Sequence, residues 1–265
     1  MVDWLDGSLW VGDCLELMRD IPDGSVDMVI TSPPYDDMRT YNGSLNDWTF
    51  EKFSLIAKEL ARVTKDGGVI VWNVGDATVG GSETGSSFRQ TLYFIDECRL
   101  KLNDTMIWNK GAFNSVGALK YRYGQVFEYM FVFTKGKHTF NPIKDRANKY
   151  AGTKMHGTKR LPDGSMIPIH SNGKIISEYG IRFNIWDMNA DRKGEHPAAF
   201  PVCLAHDHIV SWSNPSDLIL DPFAGSGTTA IAARRTSRRF ICIEREWEYA
   251  IKAACRISGE PHVTQ

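Results

Sequence analysis

One segment in the C-terminal part of the chain restricts the possible folds more than any other. Residues 218–221 form an apolar run that ends in an acid, and the turn at 222–227 contains Gly225 and Gly227. A helical pattern begins at Thr228. Glycines in such a turn let the backbone approach a ligand closely, and the N-terminus of the following helix favours negative groups. This order predicts a parallel α/β sheet with a ligand site at its edge.

Apolar runs and helical patterns alternate along most of the chain. Apolar residues from 50 to 64 recur at helical spacing, and Gly67 and Gly68 are expected to end that helix before the next apolar run at 69–72. Residues 80–87 are rich in glycine and serine and are predicted to form a flexible loop. Further strands are predicted at 26–30, 105–108, 129–133, 218–221 and 240–244, and further helices at 13–19, 88–100, 197–212 and 228–235. The alternation predicts an α/β fold with a doubly wound, mostly parallel sheet.

The middle of the chain departs from this alternation. From 134 to about 179, Gly, Lys, Asn and Pro accumulate and no period is kept. Residues 135–160 contain eight basic side chains and one acid, a net charge of +7, whereas the whole chain carries −1. Such a segment forms either a local patch for a polyanion or a solvated, mobile loop. We therefore predict an inserted module at 135–190 between two halves of one domain, 1–134 and 191–265.

The glycine turn and the strand after it predict a cofactor that contains adenosine. Glu244 lies 19 residues after Gly225, at the end of the next strand, where an acid accepts hydrogen bonds from both ribose hydroxyls. A P-loop for ATP is excluded because Thr228 stands where that motif needs a lysine. A dinucleotide remains an alternative, since 225–230 match its glycine fingerprint. Asp221 favours S-adenosylmethionine, because its carboxylate would repel a pyrophosphate and suits the ammonium of a methionine moiety.

A second motif, Thr-Ser-Pro-Pro-Tyr at 31–35, follows the first predicted strand. The amine of a nucleobase is conjugated with its ring, so a catalyst of amine methylation must place acceptors on the amine hydrogens. The Ser32 hydroxyl and the Pro33 carbonyl are suitable acceptors, and two prolines hold that carbonyl rigidly. Tyr35 offers a flat face for a base removed from the stack. Taken alone, a motif of this kind is more often a stiff turn than an active site.

The two motifs together resemble a known family. Ser-Pro-Pro-Tyr at 32–35, followed by Asp-Pro-Phe-Ala-Gly-Ser-Gly-Thr-Thr at 221–229, is similar to the β class of DNA amino-methyltransferases. The segments 12–14, 193–197 and 240–244 resemble further cofactor segments of that class. The resemblance implies direct methyl transfer from sulfonium to nitrogen with no covalent intermediate between enzyme and base. The loop agrees, since it lacks the cysteine nucleophile that a C5-cytosine methyltransferase needs.

The resemblance also implies roles for individual residues, with no metal among them. The residues expected to hold the base are Ser32, Pro33, Pro34 and Tyr35. Those expected to hold S-adenosylmethionine are Asp13, Cys14, Thr31, His196, Pro197, Asp221, Phe223, Ala224, Gly225, Ser226, Gly227, Thr228 and Glu244. Those expected to bind DNA, in the target-recognition module, are Lys144, Arg146, Lys149, Lys154, Lys159 and Arg160. The aromatic and basic run at 120–124 either touches DNA as well or packs against the sheet.

The first residue of the catalytic motif bears on the choice of base. Family members with Ser-Pro-Pro-Tyr mostly methylate N4 of cytosine, whereas those with Asp-Pro-Pro-Tyr mostly methylate N6 of adenine. Ser32 therefore favours cytosine, and adenine is the alternative. The implied partner is double-stranded DNA. The resemblance leaves open a restriction endonuclease partner or an orphan enzyme, and a monomer or a homodimer.

The composition sets the expected compartment. With 42% hydrophobic and 24% charged residues the chain is an ordinary globular protein, and no run of about 18 apolar residues predicts a membrane span. The acidic N-terminus lacks the features of a signal peptide. Five separated cysteines form neither a disulfide framework nor a metal pair. We expect a cytoplasmic, nucleoid-associated protein.

Overall fold

The structure is a computed structural model that describes residues 1–34, 48–111, 120, 122–168, 173–189 and 200–259. The predicted site residues Tyr35, His196 and Pro197 lie outside the described residues. The chain divides into two compact units. We call Met1–Asn141 with Asn184–Gln265 the sheet unit, and Pro142–Phe183 the inserted unit.

The elements follow the chain in this order. The strands are β1 (Val2–Trp4), β2 (Gly7–Val11), β3 (Val26–Thr31), β4 (Thr64–Val74), β5 (Thr78–Val79), β6 (Ser82–Glu83), β7 (Lys101–Asn109), β8 (Phe127–Thr134), β9 (Arg146–Ala147), β10 (Thr158–Arg160), β11 (Met166–Pro168), β12 (Tyr179–Gly180), β13 (Ile185–Asp187), β14 (Leu218–Asp221) and β15 (Arg239–Glu244). The helices are α1 (Cys14–Leu17), α2 (Phe50–Val63), α3 (Ser86–Asp96), α4 (Val202–Trp212), α5 (Thr228–Arg235) and α6 (Trp247–Gly259), and a 3₁₀ turn covers Met18–Asp20.

Nine of the described strands form one sheet in the order β1-β2-β15-β14-β3-β4-β8-β7-β13. The five strands from β2 to β4 run parallel to one another, and β8 pairs antiparallel with both β4 and β7. One layer of helices, α4 to α6, covers one face, and α1 to α3 cover the other. The prediction of a doubly wound, mostly parallel sheet is confirmed. Because their carboxyl ends share one edge, the five parallel strands define where a ligand site is expected.

Helix α2 shows how the sequence sets these elements. The Thr49 side chain accepts a hydrogen bond from the Lys52 N–H at 3.1 Å and so caps the helix. The helix ends at Val63, and β4 begins at once with Thr64, whose hydroxyl donates to the Leu60 carbonyl at 2.7 Å. The predicted helix at 50–64 is therefore confirmed to within one residue, but the glycine pair is not what ends it. The pair lies inside β4, where a Cβ on Gly68 would lie only 3.0 Å from the Asp27 carbonyl oxygen.

The predicted flexible loop at 80–87 is also wrong. Strands β5 and β6 form a hairpin there, and α3 begins at Ser86. Arg122 fastens the hairpin, since its guanidinium donates to the Thr78 hydroxyl at 2.6 Å and to the Gly81 carbonyl at 2.7 Å. Arg122 thus contacts this hairpin rather than the nine-stranded sheet, and a contact of the 120–124 run with DNA stays a prediction. Sequence alone does not reveal the hairpin because its strands have only two residues each.

The inserted unit lies within the predicted 135–190 module and is narrower than it. It contains two short antiparallel pairs, β9 with β12 and β10 with β11. Lys135, counted above in the basic segment, belongs to the sheet unit, where its ammonium donates to the Ala61 and Thr64 carbonyls at 3.0 and 2.8 Å. Its charge is thus used to hold the end of α2. No helix within the described residues is long and apolar enough to span a membrane.

Candidate active site

The sequence-predicted residues form a row along the carboxyl edge of the sheet. Strands β2, β15, β14 and β3 are neighbours in that order, and they lead into Asp13, Glu244, Asp221 and Ser32. Neighbouring strands lie about 4.8 Å apart, so the row spans roughly 14 Å. Residues far apart in sequence are thereby brought to one edge by the pairing of the strands.

Asp221 joins three elements of the site. Its side chain is 2% exposed and accepts hydrogen bonds from the Thr31 hydroxyl at 2.6 Å, the Phe223 N–H at 3.0 Å and the Thr229 hydroxyl at 2.6 Å. Burial raises the pKa of this carboxyl, and the three donors counteract the shift. Asp221 therefore ties the predicted catalytic loop after β3 to the glycine turn and to α5.

These bonds limit what Thr31 can contribute. The residue is fully buried and its hydroxyl donates to Asp221, so a contact of Thr31 with a cofactor stays a prediction. The catalytic motif continues through Ser32, buried Pro33 and half-buried Pro34. β3 ends at Thr31 because proline has no N–H for a ladder bond.

The glycine turn is held from behind by α6. Gly227 has φ +81°, and a Cβ there would lie 3.1 Å from the Ala253 Cβ, so that only glycine fits. The Arg256 guanidinium donates at 2.6 Å to both the carbonyl and the hydroxyl of Ser226. The turn is therefore rigid before any ligand binds. Contacts of Ala224, Gly225, Ser226 and Thr228 with a cofactor stay predictions.

Glu244 is fixed by backbone donors at the end of β15. It is 8% exposed, and its two oxygens accept from the Gly225 N–H at 2.7 Å and the Glu246 N–H at 2.8 Å. Burial raises the pKa of this carboxyl to about 7, and the two N–H donors counteract part of that shift. Glu244 therefore changes its charge close to neutral pH.

This shift predicts a pH dependence of stability. The stabilisation from Glu244 is fully present below its unfolded pKa of 4.5 and is lost as the pH rises through its folded pKa of about 7. The difference of about 2.5 between these two pKa values (7 − 4.5) corresponds to about 3 kcal/mol in the free energy of unfolding. Urea denaturation of the wild type and of Glu244→Gln between pH 4 and 8 isolates this contribution. The wild type should lose stability relative to the variant as the pH rises, and parallel curves would contradict the assignment.

Asp13 and Cys14 follow β2. Asp13 caps α1 by accepting from the Leu15 N–H at 2.8 Å, and it pairs with the Lys52 ammonium at 3.0 Å. Burial raises the pKa of Asp13, the Lys52 and Leu15 hydrogen bonds lower it, and the net shift is downward. Burial raises the pKa of the Cys14 thiol to about 12. The pair thus presents one carboxylate and one neutral thiol.

An aromatic wall adjoins the glycine turn, and the sequence patterns did not indicate it. The Phe223 ring meets the Trp48 ring edge-on, with centroids 5.4 Å apart, and the Trp72 ring at 6.5 Å. A cavity of about 490 Å³ opens beside this wall. It is lined by Trp48, Thr49, Phe50, Thr84, Ser86, Arg89 and Gln90. In the sequence, this wall is marked by Trp48, which directly precedes the Thr49 cap of α2.

The residues predicted to bind DNA fall into two groups in the inserted unit. Arg146 is structural, since its guanidinium lies 4.4 Å from the Phe183 ring centroid and donates to the Ile181 carbonyl at 3.0 Å. The other predicted side chains are exposed: Lys144, Lys149, Lys154, Lys159 and Arg160. Within the described residues, no group of three or more His, Cys, Asp or Glu side chains is placed to hold a metal ion.

Comparison with known proteins identifies the family. The DNA methylase family N6_N4_Mtase matches residues 26–254. The orphan methyltransferase M.BamHII of Bacillus amyloliquefaciens is 47% identical over 255 residues, which cover 92% of this chain and 91% of the relative. The type II methyltransferase M.PvuII of Proteus hauseri is 30% identical over 285 residues, with coverages of 95% and 83%.

Solved structures share the fold. The PvuII DNA methyltransferase, described as cytosine-N4-specific, superposes with a TM-score of 0.70 at 24% identity and covers 95% of this chain and 86% of that one. The complex of M1.HpyAVI with SAM superposes with a TM-score of 0.64 at 23% identity, with coverages of 95% and 98%. These structures show the fold, and the family match over residues 26–254 together with the 47% identical relative shows that this chain belongs to the N6/N4 DNA methylase family.

Proposed function

We propose that the protein transfers a methyl group from S-adenosylmethionine to the exocyclic N4 amine of a cytosine in double-stranded DNA. The observation that carries the proposal is the row at the carboxyl edge, where the catalytic loop at Ser32 is bonded through Thr31 to the Asp221 turn. Membership of the DNA methylase family removes the nicotinamide oxidoreductase alternative. Ser32 and the relative described as cytosine-N4-specific favour cytosine. Adenine remains the second candidate, because a DNA adenine methyltransferase of Escherichia coli, YhdJ, is 27% identical over 266 residues.

The residues at the edge suit S-adenosylmethionine. Three carboxyl groups, of Asp13, Asp221 and Glu244, line the row, against one ammonium, that of Lys52. In their ionised forms these groups attract the cationic sulfonium and ammonium groups and repel a pyrophosphate. The carboxylate form of Glu244 retains lone pairs for ribose hydroxyls beside its two backbone donors. When bound, the cofactor supplies an electrophilic methyl group whose bond to sulfur breaks as the nitrogen attacks.

The catalytic loop prepares the nitrogen for that attack. The Ser32 hydroxyl oxygen and the Pro33 carbonyl accept hydrogen bonds from the amine hydrogens, and this draws the nitrogen lone pair out of conjugation with the ring. The prolines fix the acceptors beforehand, so that no reorganisation is needed in the transition state. After transfer the nitrogen releases one proton, which passes from these acceptors to solvent. Enzymes that modify a base in duplex DNA take it out of the stack, and under this proposal the same step brings the amine to the loop.

A product analysis tests the proposal. The protein is incubated with tritiated S-adenosylmethionine and plasmid DNA, the DNA is digested to nucleosides, and the labelled products are separated. We expect label in N4-methylcytosine. Label in N6-methyladenine would support the second candidate, and absence of transfer to any duplex would overturn both. Omission of DNA provides the background.

The basic hairpin β10–β11 leads to a separate prediction about DNA binding. All six of its strand residues are exposed, and Lys159 and Arg160 lie on β10. Asp163, the acid at its tip, accepts from the Ser165 N–H and hydroxyl at 2.9 and 2.7 Å, so the turn is ordered. A two-stranded ribbon of this kind fits a major groove. We expect Lys159→Ala/Arg160→Ala to weaken duplex binding and to reduce the salt slope of log K by roughly 2.

Fluorescence anisotropy with a labelled duplex at several salt concentrations measures this effect. The matched control is Arg19→Ala/Lys58→Ala, which removes the same charge from two exposed side chains of the sheet unit. An equal loss of the salt slope in both double variants would contradict a specific role for the hairpin.

A further inference from the structure

A series of hydrogen-bonded polar side chains extends from β4 through β8 to the end of β7, in an otherwise apolar layer of the sheet. The Asn73 amide nitrogen, on β4, donates to Glu128 on β8 at 3.0 Å. The second Glu128 oxygen accepts from the Lys110 ammonium at 2.8 Å, just after β7. The neighbouring side chains on this face belong to the apolar core, among them Val71 and Met130. Polar groups are rarely placed in such a layer without a partner or a function, because their desolvation is costly.

One atom in this series of polar side chains lacks a hydrogen-bond partner. Asn73 is 1% exposed, and its side-chain oxygen is a buried acceptor without a hydrogen bond. The orientation of the amide is forced rather than arbitrary. A carboxylate has acceptors only, so Glu128 must face the Asn73 NH₂ group, and the carbonyl oxygen must point away from it. The ion pair with Lys110 keeps Glu128 in place for this purpose. An unpaired buried acceptor normally costs about 1–3 kcal/mol, so its presence calls for an explanation.

The position of Asn73 supplies the explanation. Thr31 and Trp72 are register partners on β3 and β4, so the residues that follow them, Ser32 and Asn73, lie side by side at the carboxyl edge. Neighbouring parallel strands are about 4.8 Å apart. The buried acceptor thus adjoins the loop that, under the proposed function, holds the target amine. A partner that reaches it must itself be buried at this edge, as a flipped base is.

We infer that the Asn73 side-chain oxygen accepts a hydrogen bond from the exocyclic amine of the target base, and that Glu128, held by Lys110, fixes the amide for this contact. The inference rests on the proposed function. It makes Asn73 a catalytic residue beside Ser32 and Glu128 a positioning residue that acts through Asn73. An amine carries two hydrogens, and Asn73 supplements the acceptors that the catalytic loop provides.

The test compares methyl transfer to plasmid DNA by four proteins. Asn73→Leu keeps the shape and removes the acceptor, and its kcat should fall about tenfold while the KM for S-adenosylmethionine changes less than about twofold. Glu128→Gln also keeps its shape, but its amide is both donor and acceptor, so it no longer forces the Asn73 orientation. Its kcat should fall about threefold. In the Asn73→Leu background, Glu128→Gln should have no further effect on kcat.

The role of Asn73 and the role of Glu128 are tested by different outcomes. Asn73→Leu with the kcat of the wild type would overturn the role of Asn73, and independent effects of the two substitutions would overturn the role of Glu128. Thermal denaturation and calorimetric binding of S-adenosylmethionine establish that the variants are folded, and if Asn73→Leu is not folded, Glu128→Gln alone decides the test through its ratio of kcat to KM. A wild-type protein that transfers no methyl group to any duplex would overturn the proposed function, and the inference with it.

Discussion

Replacement of Asp221 by Ala is expected to abolish measurable binding of S-adenosylmethionine. The substitution leaves three donors without an acceptor, the buried Thr31 and Thr229 hydroxyls and the half-buried Phe223 N–H. Each such group costs about 1–3 kcal/mol. Removal of a desolvated carboxylate offsets part of the loss, so we expect the free energy of unfolding to fall by about 2–4 kcal/mol. The catalytic loop and the glycine turn then lose the bonds that hold them together.

A second buried carboxylate provides the matched control. Asp76 is also buried and accepts from the Ser86 hydroxyl at 3.1 Å and the Ser87 N–H at 2.9 Å, at the start of α3. Asp76→Ala should lower stability by a similar amount and leave the affinity of the folded protein for S-adenosylmethionine unchanged. Urea denaturation measures the stability and titration calorimetry the affinity. Binding by Asp221→Ala as tight as that of the wild type would show that the turn forms without its central acceptor.

Replacement of Ser32 by Ala is expected to lower kcat for methyl transfer about 100-fold, with little change in the affinity for S-adenosylmethionine. The hydroxyl oxygen acts on the amine only as the nitrogen becomes tetrahedral, and the loss of one preorganised group of this kind costs about 10²–10³ in rate. The Asp221 network does not include the Ser32 side chain among its three donors, so the cofactor turn should stay intact. Rapid-quench measurement of a single turnover on plasmid DNA reports the chemical step.

The control for Ser32 is another serine in the same unit. The Ser54 hydroxyl donates to the Phe50 carbonyl of its own helix at 2.7 Å, so Ser54→Ala removes a hydroxyl without touching the edge. Its rate should equal that of the wild type. If Ser32→Ala is as active as Ser54→Ala, the main acceptor must be the Pro33 carbonyl, and Ser32 would be a spacer in a stiff loop.

The sequence predicted the cofactor half of the fold closely because its signals are local. β14 and α5 occupy the predicted residues 218–221 and 228–235 without a shift. Apolar runs bounded by glycine and proline mark such elements directly. The helix predicted at 50–64 also matches α2 to within one residue, but the role given to the glycine pair that follows it was wrong. A glycine pair normally stops a helix, but here it is needed inside β4, where the Asp27 backbone passes too close for a side chain.

The parts that were not predicted depend on pairing between distant segments. β1 and β2 are short, and their residues give only a weak strand pattern in the sequence. β2 nevertheless pairs with β15 and places Asp13 at the carboxyl edge of the sheet. The bond from Asn73 to Glu128 joins residues 55 positions apart, and only the antiparallel pairing of β4 with β8 brings them together. An asparagine inside an apolar run was the one available signal. Partners of this kind cannot be identified from a single sequence.

The strand order also determines when neighbouring strands can pair while the protein is made on the ribosome. β2 and β3 are complete at residue 31, but the two strands that lie between them, β15 and β14, begin only at residue 218. At about 5–20 residues per second, the 186 intervening residues (217 − 31) take about 10 to 40 s to make. During that interval one edge of β2 and one edge of β3 have no partner, and a nascent chain that already carries the catalytic loop has no cofactor turn. The row of Asp13, Glu244, Asp221 and Ser32 is therefore incomplete until residue 244 has left the ribosome, and until β14 and β15 are made two strand edges stay open.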